Sequence, residues 1–207
     1  MYIPKVNRNP NIDEIRDFVK ANSFAILVST HNGRLFASHI PMELDTDKEG
    51  NDRLNGHLSK ANPQWEEFTS HPEVLAIFTG PNTYISSSWY DHENVPTWNY
   101  IAVHFYGKIR IVEGEELLEF LKKQVDKHEK DSAHPVSVEK MSKTFVETEM
   151  KGIVGFQIII DEVLPAYKLS QNRDIHNYQN IINELELRGD FHSLRIAKEM
   201  KKRTSVD

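Results

Sequence analysis

The chain has 207 residues, a mass of 24.0 kDa and a net charge of −6, with 39% hydrophobic and 27% charged residues. This composition is typical of a globular protein rather than a disordered one, and its acidic balance does not support direct DNA binding. Without cysteine, an apolar run of about 20 residues or a signal-like N-terminus, the chain offers no disulfide, thiolate metal site or membrane span, and we expect a cytoplasmic location.

The first half of the chain reads as one helix followed by strands. Asn11 and Glu14 form a capping-box pattern before a helix at 12–21, and apolar strands follow at 23–30 and 35–42. Asn32-Gly33 between them is a hairpin signal. A third strand at 53–58 leads to a helix start at Asn62-Pro63, and a buried strand at 74–80 is expected to end in a Gly80-Pro81-Asn82 turn.

The second half alternates long strands with helices. Residues 97–114 predict one long strand or a pair bent at Gly107, and residues 115–130 predict an amphipathic helix. After a linker at 131–135, residues 137–150 form a weaker helical pattern and 152–170 a strand. The end, 174–202, predicts two helices broken at Gly189.

Antiparallel strands joined by short turns, with helices inserted singly, predict a small mainly β barrel with peripheral helices. We expect one domain over residues 1–207, with 174–202 as a C-terminal helical extension. The Asn32-Gly33 hairpin argues against a doubly wound sheet.

Several kinds of chemistry leave no signature in the sequence. It contains no Gly-rich nucleotide loop, no nucleophile elbow and no histidine pair at metal-ligand spacing, so no catalytic or metal-binding residue is assigned. His57 and His104 lie on predicted strands, where a partly buried imidazole is the favoured interpretation.

Three polar and aromatic clusters remain. At 55–65 a strand ends in His57, Ser59, Lys60 and Asn62 before a helix whose free N–H groups would suit a phosphate monoester. At 84–100 five aromatic rings and several short polar side chains could stack on a flat heterocycle. At 168–173 polar side chains follow a hydrophobic strand. Each has a plain structural alternative: a helix cap, an aromatic core patch and a strand-to-helix turn. Together they indicate a phosphorylated aromatic cofactor, and flavin mononucleotide (FMN) fits without a Rossmann fold.

The sequence also resembles the PaiB family of FMN-binding negative transcriptional regulators. The similarity rests on blocks that run in order, from MYIP and SFAILVST through ASHIPM, NGHLSKANPQW, VLAIFTGPNTYISSSWY, VPTWNYIAVHFYGKI and GIVGFQIII to KLSQNR. It implies a split β-barrel like that of pyridoxamine-phosphate oxidase, a homodimer with FMN at its interface, and repression of degradative-enzyme and sporulation genes. Ser59-Lys60 replaces the Ala-Arg typical of the family, so a point charge replaces a bidentate fork.

The resemblance and the clusters together give the expected cofactor-binding residues. The strand from Ser38 to Ile40 would edge the flavin ring, and the junction from His57 to Asn62 would hold the phosphate. Trp98 and Asn99 would come from the strand that meets the cofactor or its dimer mate, and residues 168–173 are the family's polar signature near the C-terminus. The set is Ser38, His39, Ile40, His57, Ser59, Lys60, Asn62, Trp98, Asn99, Lys168, Gln171 and Asn172.

Three functions remain open from the sequence. The first is an FMN-binding regulator of the PaiB type, acting as a homodimer on transcription. The alternative is an FMN-dependent oxidoreductase with a small substrate, for which His39 and His57 are the only acid–base candidates. The third is a structural dimer that has lost its cofactor, so that FMN would be absent or weakly bound.

Overall fold

A computed structural model describes residues 1–204 and divides them into two compact units. The larger is formed by Val19–Phe78 and Phe105–Val163. The smaller is formed by Met1–Phe18, Thr79–His104 and the described chain from Leu164 onward.

The larger unit is built on a closed six-stranded barrel. The strands are β1 (Phe24–His31), β2 (Arg34–Thr46), β3 (Asp52–Ser59), β4 (Glu73–Ile85), β5 (Thr97–Val112) and β6 (Ile153–Lys168), in the order β1-β2-β3-β6-β5-β4. The β1–β2, β1–β4, β2–β3 and β3–β6 pairs are antiparallel. Strands β4, β5 and β6 each contribute residues to both units. The predicted split β-barrel with peripheral helices is confirmed.

Inward-facing residues fill the barrel. Leu27, Met42, Leu54 and Ile158 are completely buried, and the Phe68 and Phe156 rings meet edge to face with centroids 6.0 Å apart. The predicted hairpin is present, with φ values of 51° at Asn32 and 70° at Gly33 that place both residues in the left-handed region. Helix α2 (Gly114–Glu129) belongs to the same unit, as does the shorter α3 (Lys143–Met150).

The smaller unit holds most of helix α1 (Ile12–Ala21) and both C-terminal helices, α4 (Ile175–Arg188) and α5 (Phe191–Thr204). Asn11 caps α1, as its Oδ1 accepts from the N–H groups of Asp13 and Glu14 at 3.1 Å. Gly189 ends α4 with φ = 69°, which confirms the predicted break between the last two helices. No helix in residues 1–204 has the length and apolar character needed to cross a membrane.

One local prediction is wrong and another is confirmed only in part. Strand β4 does not turn at Gly80 but continues to Ile85, and the Phe18 ring occupies the space that a Cβ at Gly80 would fill. Gly80 therefore serves packing rather than a turn. The weak helical pattern at 137–150 is a 3-10 helix, Val138–Lys140, followed by α3, whose N-terminus is capped by Ser142 Oγ.

Candidate functional site

The barrel opens where β2 and β3 stop pairing. Their ladder ends at Met42 and Gly56; before Met42, strand β2 pairs with β1, and after Gly56, β3 pairs with β6. Asn62 spans the opening, with its Nδ2 donating to Ser38 Oγ at 2.8 Å. Two of the expected cofactor residues are thus brought together at the mouth of the split.

The segment after β3 differs from the expected helix start. Residues Pro63–Glu67 form a five-residue 3-10 helix capped by Asn62 Oδ1, which accepts from Gln64 N–H at 3.0 Å. The backbone N–H groups of Lys60, Ala61 and Asn62 donate to Gly152 O, Ser59 Oγ and Ser59 O. The N–H groups of the three residues before the helix, and that of Gln64, are therefore engaged within the chain. Side chains are the remaining donors that the geometry identifies for an anion at this junction.

A cleft of about 300 Å³ lies beside this junction within the larger unit. Lys60, Trp65 and Lys151 line it, together with Leu117 and Met150. The Trp65 indole is fixed because its Nε1 donates to Lys60 O at 3.0 Å. The cleft thus combines two ammonium groups with an aromatic ring. Glu113 and Glu147 lie on its rim as well, so its charge is mixed rather than purely positive.

Lys151 is the residue that sequence reasoning missed. It follows α3, more than 80 positions from Lys60, and the Lys60 N–H donates to the carbonyl of its neighbour Gly152 at 2.8 Å. No motif marks it. Only the pairing of the end of β3 with the start of β6 could have shown that it shares a cleft with Lys60.

Strand alternation separates Ser38 and Ile40 from His39. Ile40 is buried inside the barrel, whereas His39 is exposed on the outer face. Its ring stacks on that of Phe24, with centroids 6.2 Å apart and planes 25° apart. On the same face lie Ile26 and Ile77, which pair with each other across β1 and β4. His39 therefore belongs to a largely apolar outer surface.

His57 points away from the split, toward α2. Its ring packs against Phe120, with centroids 6.2 Å apart, and its Nδ1 is buried with no hydrogen-bond partner in the described chain. Burial lowers the pKa of this imidazole below its ordinary value. The interpretation as a partly buried histidine fits this environment.

The other expected residues lie in the smaller unit. Trp98 is exposed, with its ring edge against Tyr84. Asn99 is completely buried, and its Nδ2 lies 3.0 Å from Ser170 Oγ. Lys168 donates to Thr97 Oγ1 at 2.5 Å. Gln171 binds the backbone of Tyr167 and Leu169, while Asn172 is exposed. The polar run at 168–173 was expected to converge on one point, but Lys168, Ser170 and Gln171 have separate partners.

The aromatic rings at 84–100 are also dispersed. Tyr84 and Trp98 form one exposed pair, Trp89 lies under the Arg188 guanidinium at 4.6 Å, and Tyr90 lies under Arg173 at 4.9 Å. The Trp89 and Tyr90 rings thus each have one face in contact with an arginine of the same unit.

Comparison with known proteins agrees with this fold. Residues 1–162 match the family described as a putative FMN-binding domain. The chain is 44% identical over 201 residues to the protease synthase and sporulation protein PAI 2 of Bacillus subtilis, covering 97% of each chain. This protein therefore belongs to the PaiB family of putative FMN-binding domains.

Solved structures support the fold independently of sequence. The FAD and heme binding protein of Mycobacterium smegmatis has a TM-score of 0.63 at 13% identity, covering 89% of this chain and 81% of that one. A flavocytochrome of Azotobacter vinelandii has a TM-score of 0.61 at 16% identity, covering 86% and 78%. At these identities the likeness is one of fold alone.

Proposed function

We propose that this protein binds FMN as a homodimer and acts as a negative regulator of transcription. The observation that carries the proposal is the cleft beside the split, which Lys60, Lys151 and Trp65 line together in a chain of a putative FMN-binding family. Ammonium groups suit a phosphate, and an indole suits a flat ring system.

The phosphate would be held at the end of β3 by side chains. Lys60 and Lys151 supply positive charge. The hydroxyl of the exposed Ser59 accepts a hydrogen bond from Ala61 N–H, so its own hydrogen is available to donate to a phosphate oxygen. The flavin ring would follow the edge of β2 from Ser38 to Ile40, where pairing with β3 has ended. When bound, FMN would supply redox chemistry or a redox-sensitive conformation.

An exposed apolar surface supports the homodimer. Phe24 is 65% exposed and Leu35 82% exposed, and both lie on the outer face of the β1–β2 hairpin with Ile26 and Val28. Patches of this kind mark interaction sites in proteins. Since His39 lies on the same face, a second copy would cover it. A cleft of about 300 Å³ is small for a ligand pocket, and a second chain would enlarge it.

The regulatory part of the proposal rests on kinship. The Bacillus subtilis relative is named for protease synthesis and sporulation. Because its net charge of −6 disfavours contact with DNA phosphates, this chain would act on transcription through a partner protein rather than by binding DNA directly. A mobility-shift assay at low salt, where phosphate contacts are strongest, should show no shift.

The direct test is a titration of purified protein with FMN and, as a matched control, riboflavin, which lacks the phosphate. We expect flavin fluorescence to be quenched on binding, and we expect the affinity for riboflavin to be at least about tenfold weaker than that for FMN. A hundredfold excess of FMN over its dissociation constant should stabilise the fold by about 3 kcal/mol. Equal affinity for the two flavins would refute the lysine cleft, and no binding of either would refute FMN as the ligand. Bleaching of bound flavin by reduced nicotinamide would favour the oxidoreductase alternative instead.

A further inference from the structure

A second cavity, of about 440 Å³, lies wholly within the smaller unit. It is bounded by the N-terminal segment before α1, the end of β6 and the end of α5. Its lining includes Asn9, Tyr167 and three cations, Arg8, Lys202 and Arg203. None of the lysines of the proposed FMN cleft contributes to it.

Two buried polar groups face this cavity without a partner. Asn9 is 8% exposed and Tyr167 2% exposed, and the two side chains are close enough for the Asn9 amide to lower the Tyr167 pKa against the larger effect of burial. Neither Asn9 Nδ2 nor Tyr167 Oη has a hydrogen bond of good geometry within the described residues. The Asn9 amide orientation is fixed, because its Oδ1 accepts from Asn11 N–H at 3.0 Å. Buried polar groups of folded proteins are nearly always satisfied, so two orphans in one cavity call for a ligand.

Both orphans are donors. Asn9 presents its NH₂ group, and burial raises the pKa of Tyr167, which keeps the phenol protonated. The Tyr167 ring is held rigidly, with the Phe18 ring 5.9 Å away and the Arg203 guanidinium 5.1 Å from its centroid. A ligand that forms hydrogen bonds with these two donors must therefore carry acceptor atoms.

The charges around the cavity select the sign of that ligand. Arg8, Lys202 and Arg203 line it against one acid, Glu14, which is ion-paired with Arg203 at 2.7 Å. Lys202 is itself ion-paired with Glu199, outside the lining, at 2.7 Å, so Arg8 is the lining cation without an acidic partner in the described residues. The lining thus carries a positive excess in a chain that is acidic overall. Gln171 forms a polar wall, but its amide is occupied by the backbone of Tyr167 and Leu169.

We propose that this cavity is a binding site for a small organic anion, whose carboxylate or phosphate oxygens accept from Asn9 Nδ2 and Tyr167 Oη while Arg8 balances its charge. The site is separate from the proposed flavin cleft and does not depend on it. Gln171, from the polar run after β6, forms part of its wall.

The test is calorimetric titration of the full chain with citrate and with glycerol 3-phosphate, at constant ionic strength. We expect saturable binding of at least one probe, and the stronger one identifies the anion class. Tyr167→Phe and Asn9→Leu should each weaken binding by about fivefold or more. Tyr167→Phe should not lower the Tm without ligand, because it removes only an unpaired buried donor. Asn9→Leu also removes the acceptor of the Asn11 N–H and should lower the Tm modestly.

Tyr178→Phe is the matched control. Tyr178 is equally buried in the same unit, but its hydroxyl donates to Met200 O at 3.0 Å. This variant should lower the Tm and leave anion binding unchanged. The proposal would be overturned if neither probe bound saturably at concentrations up to about 100 mM, about a hundred times the millimolar dissociation constant of a weak site. It would also be overturned if Tyr167→Phe bound the anion as tightly as the wild type. Since the readout is anion binding, failure here leaves the FMN titration unaffected.

Discussion

Asn62 and Ser38 are joined by a hydrogen bond of 2.8 Å across the opening between β3 and β2. The same Asn62 side chain caps the 3-10 helix Pro63–Glu67 through its Oδ1. One amide therefore ties the end of β3 to the edge of β2 and fixes the start of the segment that carries Trp65. It holds the split at a defined width.

Asn62→Ala should destabilise the protein by about 1–2 kcal/mol, since it removes both the cap and the link. Ser38→Ala, which removes the link alone, should cost about 1 kcal/mol or less. Urea unfolding of both variants measures the two contributions. Equal losses from the two would mean that the cap contributes nothing.

Loss of either cleft lysine should weaken FMN binding. Lys60→Gln and Lys151→Gln each remove one charged donor, which corresponds to about a tenfold or greater loss of affinity. Riboflavin affinity should not change, because that ligand has no phosphate. Lys108→Gln, an exposed lysine of the same unit outside the cleft, is the charge-matched control. If it weakened FMN as much, net charge rather than contact would be responsible.

Leu35→Glu should convert the proposed dimer into a monomer, because it places a charge at an apolar interface. Light scattering should give twice the chain mass of 24.0 kDa for the wild type and a single chain mass for the variant. Leu187→Glu is a fair comparison, as Leu187 on α4 is 80% exposed against 82% for Leu35. A wild-type monomer at all concentrations would refute the dimer.

His57 should make stability depend on pH below neutrality. Burial lowers its pKa from the ordinary 6.5, so the unfolded chain takes up a proton first as the pH falls. The stability that the neutral ring contributes is complete above pH 6.5. It is lost below that value at no more than about 1.4 kcal/mol per pH unit.

His57→Gln should flatten this slope in denaturant unfolding between pH 7.5 and 5. Part of the slope should remain, since burial also lowers the pKa of His104. His134→Gln, in the exposed linker, should leave the profile unchanged. An unaltered slope in His57→Gln would show that this ring is not the titrating group.

Gly107→Ala should destabilise the barrel by about 1–3 kcal/mol or more, because the new Cβ would meet the backbone carbonyl of Ile159 on β6. A backbone atom in a strand cannot move aside as a side chain can. At Gly152 the nearest atom to a new Cβ is Glu149 O at 3.3 Å, so Gly152→Ala should be much milder. Thermal unfolding of the pair is the measurement.

Local signals in the sequence were enough for most elements. Asn11 predicted the start of α1, Asn32-Gly33 predicted the β1–β2 hairpin, and Gly189 predicted the break between α4 and α5. Each acts through its own backbone or its immediate neighbours. Gly80 was wrongly predicted to form a turn. A glycine is needed there because the Phe18 ring, more than 60 residues away in the chain, leaves no room for a Cβ.

The candidate site was predictable only in part. Lys60 and Asn62 could be named because they follow a strand directly, whereas Lys151 could not. The backbone N–H groups of Lys60 and Asn62 are engaged within the chain, which the sequence did not indicate. Rings that are close in sequence, such as Trp89 and Trp98, have separate partners in the fold. Proximity along the chain did not translate into a shared surface.

The sequence by itself determined the hairpins, caps and strand alternation, and its ordered blocks determined the family, because these depend on neighbouring residues and on inheritance. The tertiary structure alone decided which distant side chains share a cavity. Lys60 meets Lys151, and Asn9 meets Tyr167, only because strand register and helix packing bring together segments that no local preference connects.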